Sequence, residues 1–140
     1  MLNYALKIES AERTIEITEK GMILSANVYF DTSNNKTQTK SNNILAQMII
    51  KGYIEKGNEE SINKKLIKVS EWARDLKQAT TYRKVTLDIK KDDDTLVRTY
   101  EIPSMFVCDY KEFFDSENNT YKFELILNQS NNKLGEINIY

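Results

Sequence analysis

The sequence has no histidine, one cysteine and one proline among its 140 residues. Without histidine the chain lacks the most common general base, the usual catalytic triads and most zinc sites. Its lone Cys108 can form no bridge within the chain, so nothing indicates an oxidising compartment, and it has no histidine with which to form a thiol-protease pair. Pro103 cannot donate an amide hydrogen, so it is expected to end or kink the strand around it.

Glycine-rich loops and long apolar runs are missing as well. The chain has four glycines, and no glycine-rich loop precedes a helix, which excludes the usual phosphate cradle. No apolar run is as long as the stretch of about 18 residues that a membrane-spanning helix needs. The first residues lack the basic and apolar regions of a signal peptide. We therefore expect cytoplasmic synthesis, with no signal peptide and no membrane-spanning segment.

Charge is nearly balanced overall but unevenly distributed. A net charge of −1 argues against nucleic acid as a required partner. Residues 61–91 contain nine Lys or Arg and three Asp or Glu, whereas residues 92–140 contain four and ten. Either neighbouring strands neutralise each other within one molecule, or the molecule has a basic and an acidic face suited to head-to-tail association.

Carboxylates are the remaining candidates for chemistry. Asp92, Asp93 and Asp94 lack the alternating ligands and the glycine of a calcium loop, and acidic hairpin turns are common. Glu112, Asp115 and Glu117 lie on a second turn, and no pair stands out as an acid and a base. We therefore predict no catalytic residue, no metal site and no cofactor, and we expect that the protein is not an enzyme.

Alternation of apolar and polar residues predicts strands over most of the chain. About nine strands are expected, at residues 2–9, 14–19, 22–30, 44–54, 85–90, 95–102, 105–110, 121–127 and 134–140. Most connections between them are short, as in antiparallel sheets. The pattern predicts one α+β, mostly β domain over residues 1–140, an antiparallel β-barrel or sandwich with one flanking α-helix.

The helix is predicted at Ser61–Gln78, where apolar residues recur on one face. Trp72 borders that face and should lie at the seam between helix and sheet. The residues expected in the core are Leu66, Val69, Trp72, Leu76, Val85, Leu87, Phe106, Phe123 and Leu125.

One segment contains no apolar side chain. Asp31–Asn43 has thirteen polar residues in a row. A connection of that length is either a mobile tip or a loop that becomes ordered against another surface.

The order of strands, polar loop, helix and further strands resembles the tube proteins of contractile injection systems. These are the Hcp-like tubes of type VI secretion and the tail-tube subunits of phages and pyocins. The strand Tyr82–Ile89 follows the helix as one does in the family. The segment Ile102–Asp115, in which an apolar strand leads into Tyr110-Lys111-Glu112-Phe113-Phe114, is similar to the family's Tyr-x-Glu-x-Phe phrase.

The resemblance implies a structural protein whose subunits form rings, usually hexamers, that stack into a tube inside a sheath. Its implied partners are further copies of itself, sheath, baseplate or spike proteins, and effector cargo, and it would be assembled into a particle or exported apparatus. The early loop of such proteins makes contacts within and between rings. By position, this implies self-assembly roles for Asp31, Asn34, Asn35, Lys36, Gln38 and Lys40.

Two other functions remain open from the residues alone. The chain could be a stand-alone β-barrel binding module for a peptide, a glycan or a carrier protein. A small hydrolase is disfavoured by the missing histidine.

Overall fold

The computed structural model describes residues 1–31, 45–54, 59–129 and 136–140. In chain order the elements are β1 (Leu2–Glu9), β2 (Thr14–Ile17), β3 (Ile23–Asp31), β4 (Leu45–Tyr53), α1 (Glu59–Ala73), α2 (Gln78–Thr81), β5 (Arg83–Lys91), β6 (Leu96–Asp115), β7 (Thr120–Gln129) and β8 (Asn138–Ile139).

The strands form one antiparallel sheet in the order β2-β1-β5-β6-β7-β4-β3, and β8 pairs with β6. Although β1 and β3 are far apart in this order, they contact each other, so the sheet curls around a common core. Helix α1 packs against β2 and β6. The prediction of a mostly β, antiparallel barrel or sandwich with a flanking helix is confirmed, with eight strands in the described residues.

The core is filled from one face of each strand and one face of α1. Seven of the nine predicted core residues are no more than 2% exposed, namely Leu66, Val69, Trp72, Val85, Leu87, Phe123 and Leu125. Phe106 is only half-buried. Its neighbour Met105 is fully buried, and because side chains alternate along a strand, Phe106 points to the other face. There the centre of its ring lies 6.0 Å from the centre of the Tyr82 ring, edge to face.

Leu76 was expected in the core, and this prediction is wrong. Helix α1 ends at Ala73, and Leu76 is 96% exposed. The cause is Asp75, whose carboxylate accepts hydrogen bonds from the Lys77 amide at 2.8 Å and the Thr80 hydroxyl at 2.7 Å. These bonds stabilise a turn and start the short helix α2 in place of the expected continuous helix.

Pro103 kinks its strand without ending it, so two predicted strands form the single strand β6. The pairing between β5 and β6 shifts from Val85↔Ile102 to Arg83↔Met105, which is a β-bulge at Pro103 and Ser104. A bulge tolerates a residue without an amide hydrogen. Ser104 has a φ of 56°.

Candidate assembly surfaces

The predicted self-assembly segment is described only at its first residue. Asp31 ends β3, and its backbone pairs with Leu45 at the start of β4. Asn34, Asn35, Lys36, Gln38 and Lys40 lie outside the described residues. The segment thus leaves and re-enters the sheet at adjacent strand ends.

Strand β3 is an edge of the sheet. Within the described part of the chain it pairs with β4 alone. Its side chains Tyr29 and Phe30 are 49% and 41% exposed. An unpaired strand edge with exposed aromatic side chains is a surface on which another chain can pair.

A second surface is formed by the far end of the β6–β7 hairpin, residues 112–121, which we call the hairpin tip. Its cross-strand pairs include Phe114↔Tyr121 and Asp115↔Thr120. Phe113 and Phe114 are 49% and 66% exposed. The tip contains three carboxylates and no lysine or arginine, so it is acidic and apolar at once.

The turn of the hairpin tip is closed by Asp115. Its carboxylate accepts hydrogen bonds from the Glu117 amide at 3.0 Å and from the Asn118 side-chain amide at 2.9 Å. The Asn118 bonds lower the pKa of Asp115 from its ordinary value. A carboxylate is charged at neutral pH even at its ordinary pKa, so Asp115 contributes to the acidity of the tip, and the lowered pKa extends that charge to lower pH.

A third surface lies on the outer face of α1. A shallow depression of about 550 Å³, which we call the helix groove, is lined by Arg13, Lys64, Ile67, Lys68 and Glu71. Arg13 bonds to the Glu71 carboxylate at 3.1 Å, which fixes the β1–β2 connection beside the helix. Ile67 is half exposed in the middle of the groove, because it lies opposite the buried stripe of α1.

A buried arginine joins α1, α2 and β5. Arg83 is 7% exposed, its Nε donates to the Thr80 carbonyl at 2.9 Å, and its guanidinium lies 5.1 Å from the centre of the Trp72 ring. Burial lowers the pKa of Arg83, and the charge of Asp75, 3.8 Å away, opposes that effect. These contacts make Arg83 a structural anchor of the helix–sheet seam.

The carboxylates of the β5–β6 turn are engaged within the chain. Asp92 lies 3.3 Å from the N-terminal amine and Asp94 lies 3.3 Å from the Lys20 amine. Asp93 accepts a hydrogen bond from the Thr95 amide at 3.0 Å. Throughout the described ranges, no three His, Cys, Asp or Glu side chains are grouped as metal ligands.

The described helices include none that is long and apolar enough to span a membrane.

Comparison with protein-family models gives no match, and comparison with curated proteins gives none either. Comparison with solved structures does give matches. A chain of the anti-feeding prophage baseplate aligns over 99% of this chain and 92% of its own length, with a TM-score of 0.55 and 10% identity. Hcp1 from Flavobacterium johnsoniae aligns over 97% and 98%, with a TM-score of 0.52 and 11% identity.

A chain of the PVC sheath–tube complex, an extracellular contractile injection system in its extended state, aligns over 99% of this chain and 88% of its own length. Its TM-score is 0.52 and its identity is 13%. Identities this low establish the fold alone. The chain therefore has the fold of Hcp1 and of its structural counterparts in contractile injection systems.

Proposed function

We propose that this chain is an inner-tube subunit of a contractile injection system and that it assembles into stacked, hexameric rings. The observation that supports this most is the fold, which it shares over 97% or more of its length with Hcp1 and with chains of the anti-feeding prophage baseplate and the PVC sheath–tube complex. In this role the chain is structural and not catalytic. Its further partners are sheath, baseplate or spike proteins and effector cargo.

The surface of the subunit supports self-association. Strand β3 has an edge that pairs with no other described strand, and Tyr29 and Phe30 on this strand are exposed. Such an edge invites pairing with another chain. In a ring, the neighbouring subunit would cover it.

The polar segment Asp31–Asn43 is a second part of this proposal. Ordering thirteen residues costs roughly 1–2 kcal/mol of backbone entropy per residue, so the segment would become ordered only by gaining partners. We propose that it lies on an adjacent subunit. Because Asp31 and Leu45 are cross-strand partners, a short linker can join β3 to β4.

Replacement of residues 32–43 by a short Gly/Ser linker tests this part. We expect a thermal transition close to that of the parent, because β3 and β4 pair up to Asp31 and Leu45 on either side of the segment, and we expect a loss of higher oligomers. The two proteins are compared by sedimentation at matched concentration. If the shortened protein assembles as well as the parent, the segment is not an assembly element.

Sedimentation velocity of the parent over a wide concentration range tests the proposed function itself. We expect sedimentation coefficients that rise with concentration to those of rings and larger particles. A protein that stays monomeric throughout would instead favour the stand-alone binding module for a peptide, glycan or carrier protein.

A further inference from the structure

We propose that the hairpin tip of one copy docks into the helix groove of the next copy. This inference rests on the proposed function, because it names the surfaces through which subunits of a ring or a stack recognise each other. Its partner is a second copy of this chain.

The hairpin tip and the helix groove carry complementary charges. The hairpin tip contains Glu112, Asp115 and Glu117 and no cation. The helix groove is lined by the cations Arg13, Lys64 and Lys68 and by the carboxylate of Glu71, which pairs with Arg13, so its lining carries a net positive charge. Opposite potentials on two surfaces of the same molecule attract copies to one another in a fixed orientation.

The two acidic hairpins of the molecule differ in how their carboxylates are paired. In the β5–β6 turn, Asp92 and Asp94 each lie beside a cation of the same chain. Among the described residues, the carboxylates of the hairpin tip have no such ion pair, and Glu117 only closes its own turn through its amide. Lys68 in the groove likewise has no carboxylate within ion-pair distance in the described ranges. Glu112 accepts a hydrogen bond from the Tyr110 hydroxyl at 3.0 Å and the Asp115 carboxylate closes the turn, so Glu117 and Lys68 are the charges available to a partner.

Exposed apolar side chains lie among the charges on both surfaces. Phe114 is 66% exposed at the hairpin tip, and Ile67 is 50% exposed in the groove. Binding energy in protein interfaces concentrates on aromatic anchors that fill a depression and exclude water. The groove, at about 550 Å³, has room for a phenyl ring beside Ile67.

The contact is heterologous, since the tip and the groove are different surfaces of one chain. A copy whose tip is docked still presents a free groove, and a copy whose groove is filled still presents a free tip. Contacts of this kind repeat, and they either close into a ring or propagate along an axis. This is the geometry that an assembly of identical tube subunits needs.

Two variants remove the two sides of the contact separately. The tip variant carries Phe114→Ser and Glu117→Lys, and the groove variant carries Ile67→Ser and Lys68→Glu. All four side chains are exposed, so the thermal transitions should match that of the parent. Asp115 is left intact because its carboxylate closes the turn. A matched control carries Leu96→Ser and Asp92→Lys in the other acidic hairpin.

Association constants from sedimentation decide the inference. We expect the association constant of each variant to be lower than that of the parent by about ten-fold or more. The control should associate as the parent does. Combining only Glu117→Lys and Lys68→Glu in one chain should restore much of the association that either charge reversal removes, because the attraction is then inverted between copies. Raising the salt concentration should weaken the parent.

The outcomes separate this inference from the proposed function. If the parent assembles and either variant assembles equally well, the tip–groove contact is wrong while the tube proposal stands. Loss of association in both variants without recovery in the charge-swapped chain contradicts the pairing of these two surfaces. A parent that is monomeric at every concentration overturns both proposals.

Discussion

Replacing Trp72 by alanine should destabilise the protein more than any exposed substitution on α1. Trp72 is 1% exposed, and burying an aromatic side chain removes roughly 150–250 Å² from water. At about 25 cal/mol/Å² this is about 4–6 kcal/mol. Residual burial in the unfolded chain and partial collapse of the cavity reduce the value, so we expect a loss of about 3–5 kcal/mol.

A second substitution separates the polar contact from the packing. Trp72 Nε1 donates to the Thr81 carbonyl at 2.7 Å, and phenylalanine cannot make this bond. Trp72→Phe keeps much of the apolar contact, so it should cost about 1–3 kcal/mol through the unpaired carbonyl and the smaller ring. The ring also supports the Arg83 guanidinium, a contact that the alanine variant loses.

Urea unfolding followed by circular dichroism measures both changes. With a slope of about 1–3 kcal/mol/M, Trp72→Ala should lower the midpoint by about 2 M, and Trp72→Phe should lower it less. Ile67→Ala on the opposite face of α1 is the control. It should lower the urea midpoint by only about 0.2–0.4 M, because Ile67 is half exposed. A Trp72→Ala shift no larger than that of Ile67→Ala would refute the packing of this helix against the sheet.

Two further predictions concern the fold. A Cβ atom added at Gly52 would collide with the Met22 carbonyl oxygen, which accepts the Tyr53 amide at 2.8 Å, and would lie 2.8 Å from Phe123 Cε1. Gly52→Ala should therefore cost about 2–4 kcal/mol in urea unfolding, and a loss below about 0.5 kcal/mol would contradict the close approach. The pKa of Asp75 is lowered, first by the Thr80 hydroxyl and then by the Lys77 amide. Its contribution to stability is complete above the unfolded pKa of about 4 and is lost as the pH falls through the lower folded pKa.

The pH prediction is tested with Asp75→Asn, which cannot be ionised. This variant should be less stable than the parent at pH 7, and the difference should shrink as the pH falls below about 4. Thermal unfolding at several pH values measures it. A difference that does not change with pH would show that ionisation of Asp75 contributes nothing.

Much of the fold could be predicted, because a half-buried strand shows apolar residues at every second position of its sequence. In β7, Phe123, Leu125 and Leu127 occupy every second position, and all three are buried. The end of α1 could not be predicted in the same way. Leu76 continues the apolar period, but local hydrogen bonds to Asp75 override it, and such bonds leave no periodic signal.

The hairpin tip and the helix groove were not predicted from the sequence. One signal was present at the hairpin tip: Phe113 and Phe114 are consecutive, and neighbouring residues on a strand point to opposite faces, so both could not enter one core. The helix groove left no such signal, because Arg13 and Glu71 are far apart in the sequence and meet only when α1 packs beside β2. Apart from Asp31, the polar segment Asp31–Asn43 lies outside the described residues. Its role in assembly remains a prediction.

Electron microscopy of the purified protein at high concentration tests the central claim most directly. We expect rings with a central channel, six-fold in projection, together with stacks of rings. Their number should fall sharply in the tip and groove variants and not in the Leu96→Ser, Asp92→Lys control. Particles that remain monomeric, or that stop at a closed two-fold dimer, would contradict the proposal that this chain builds a tube.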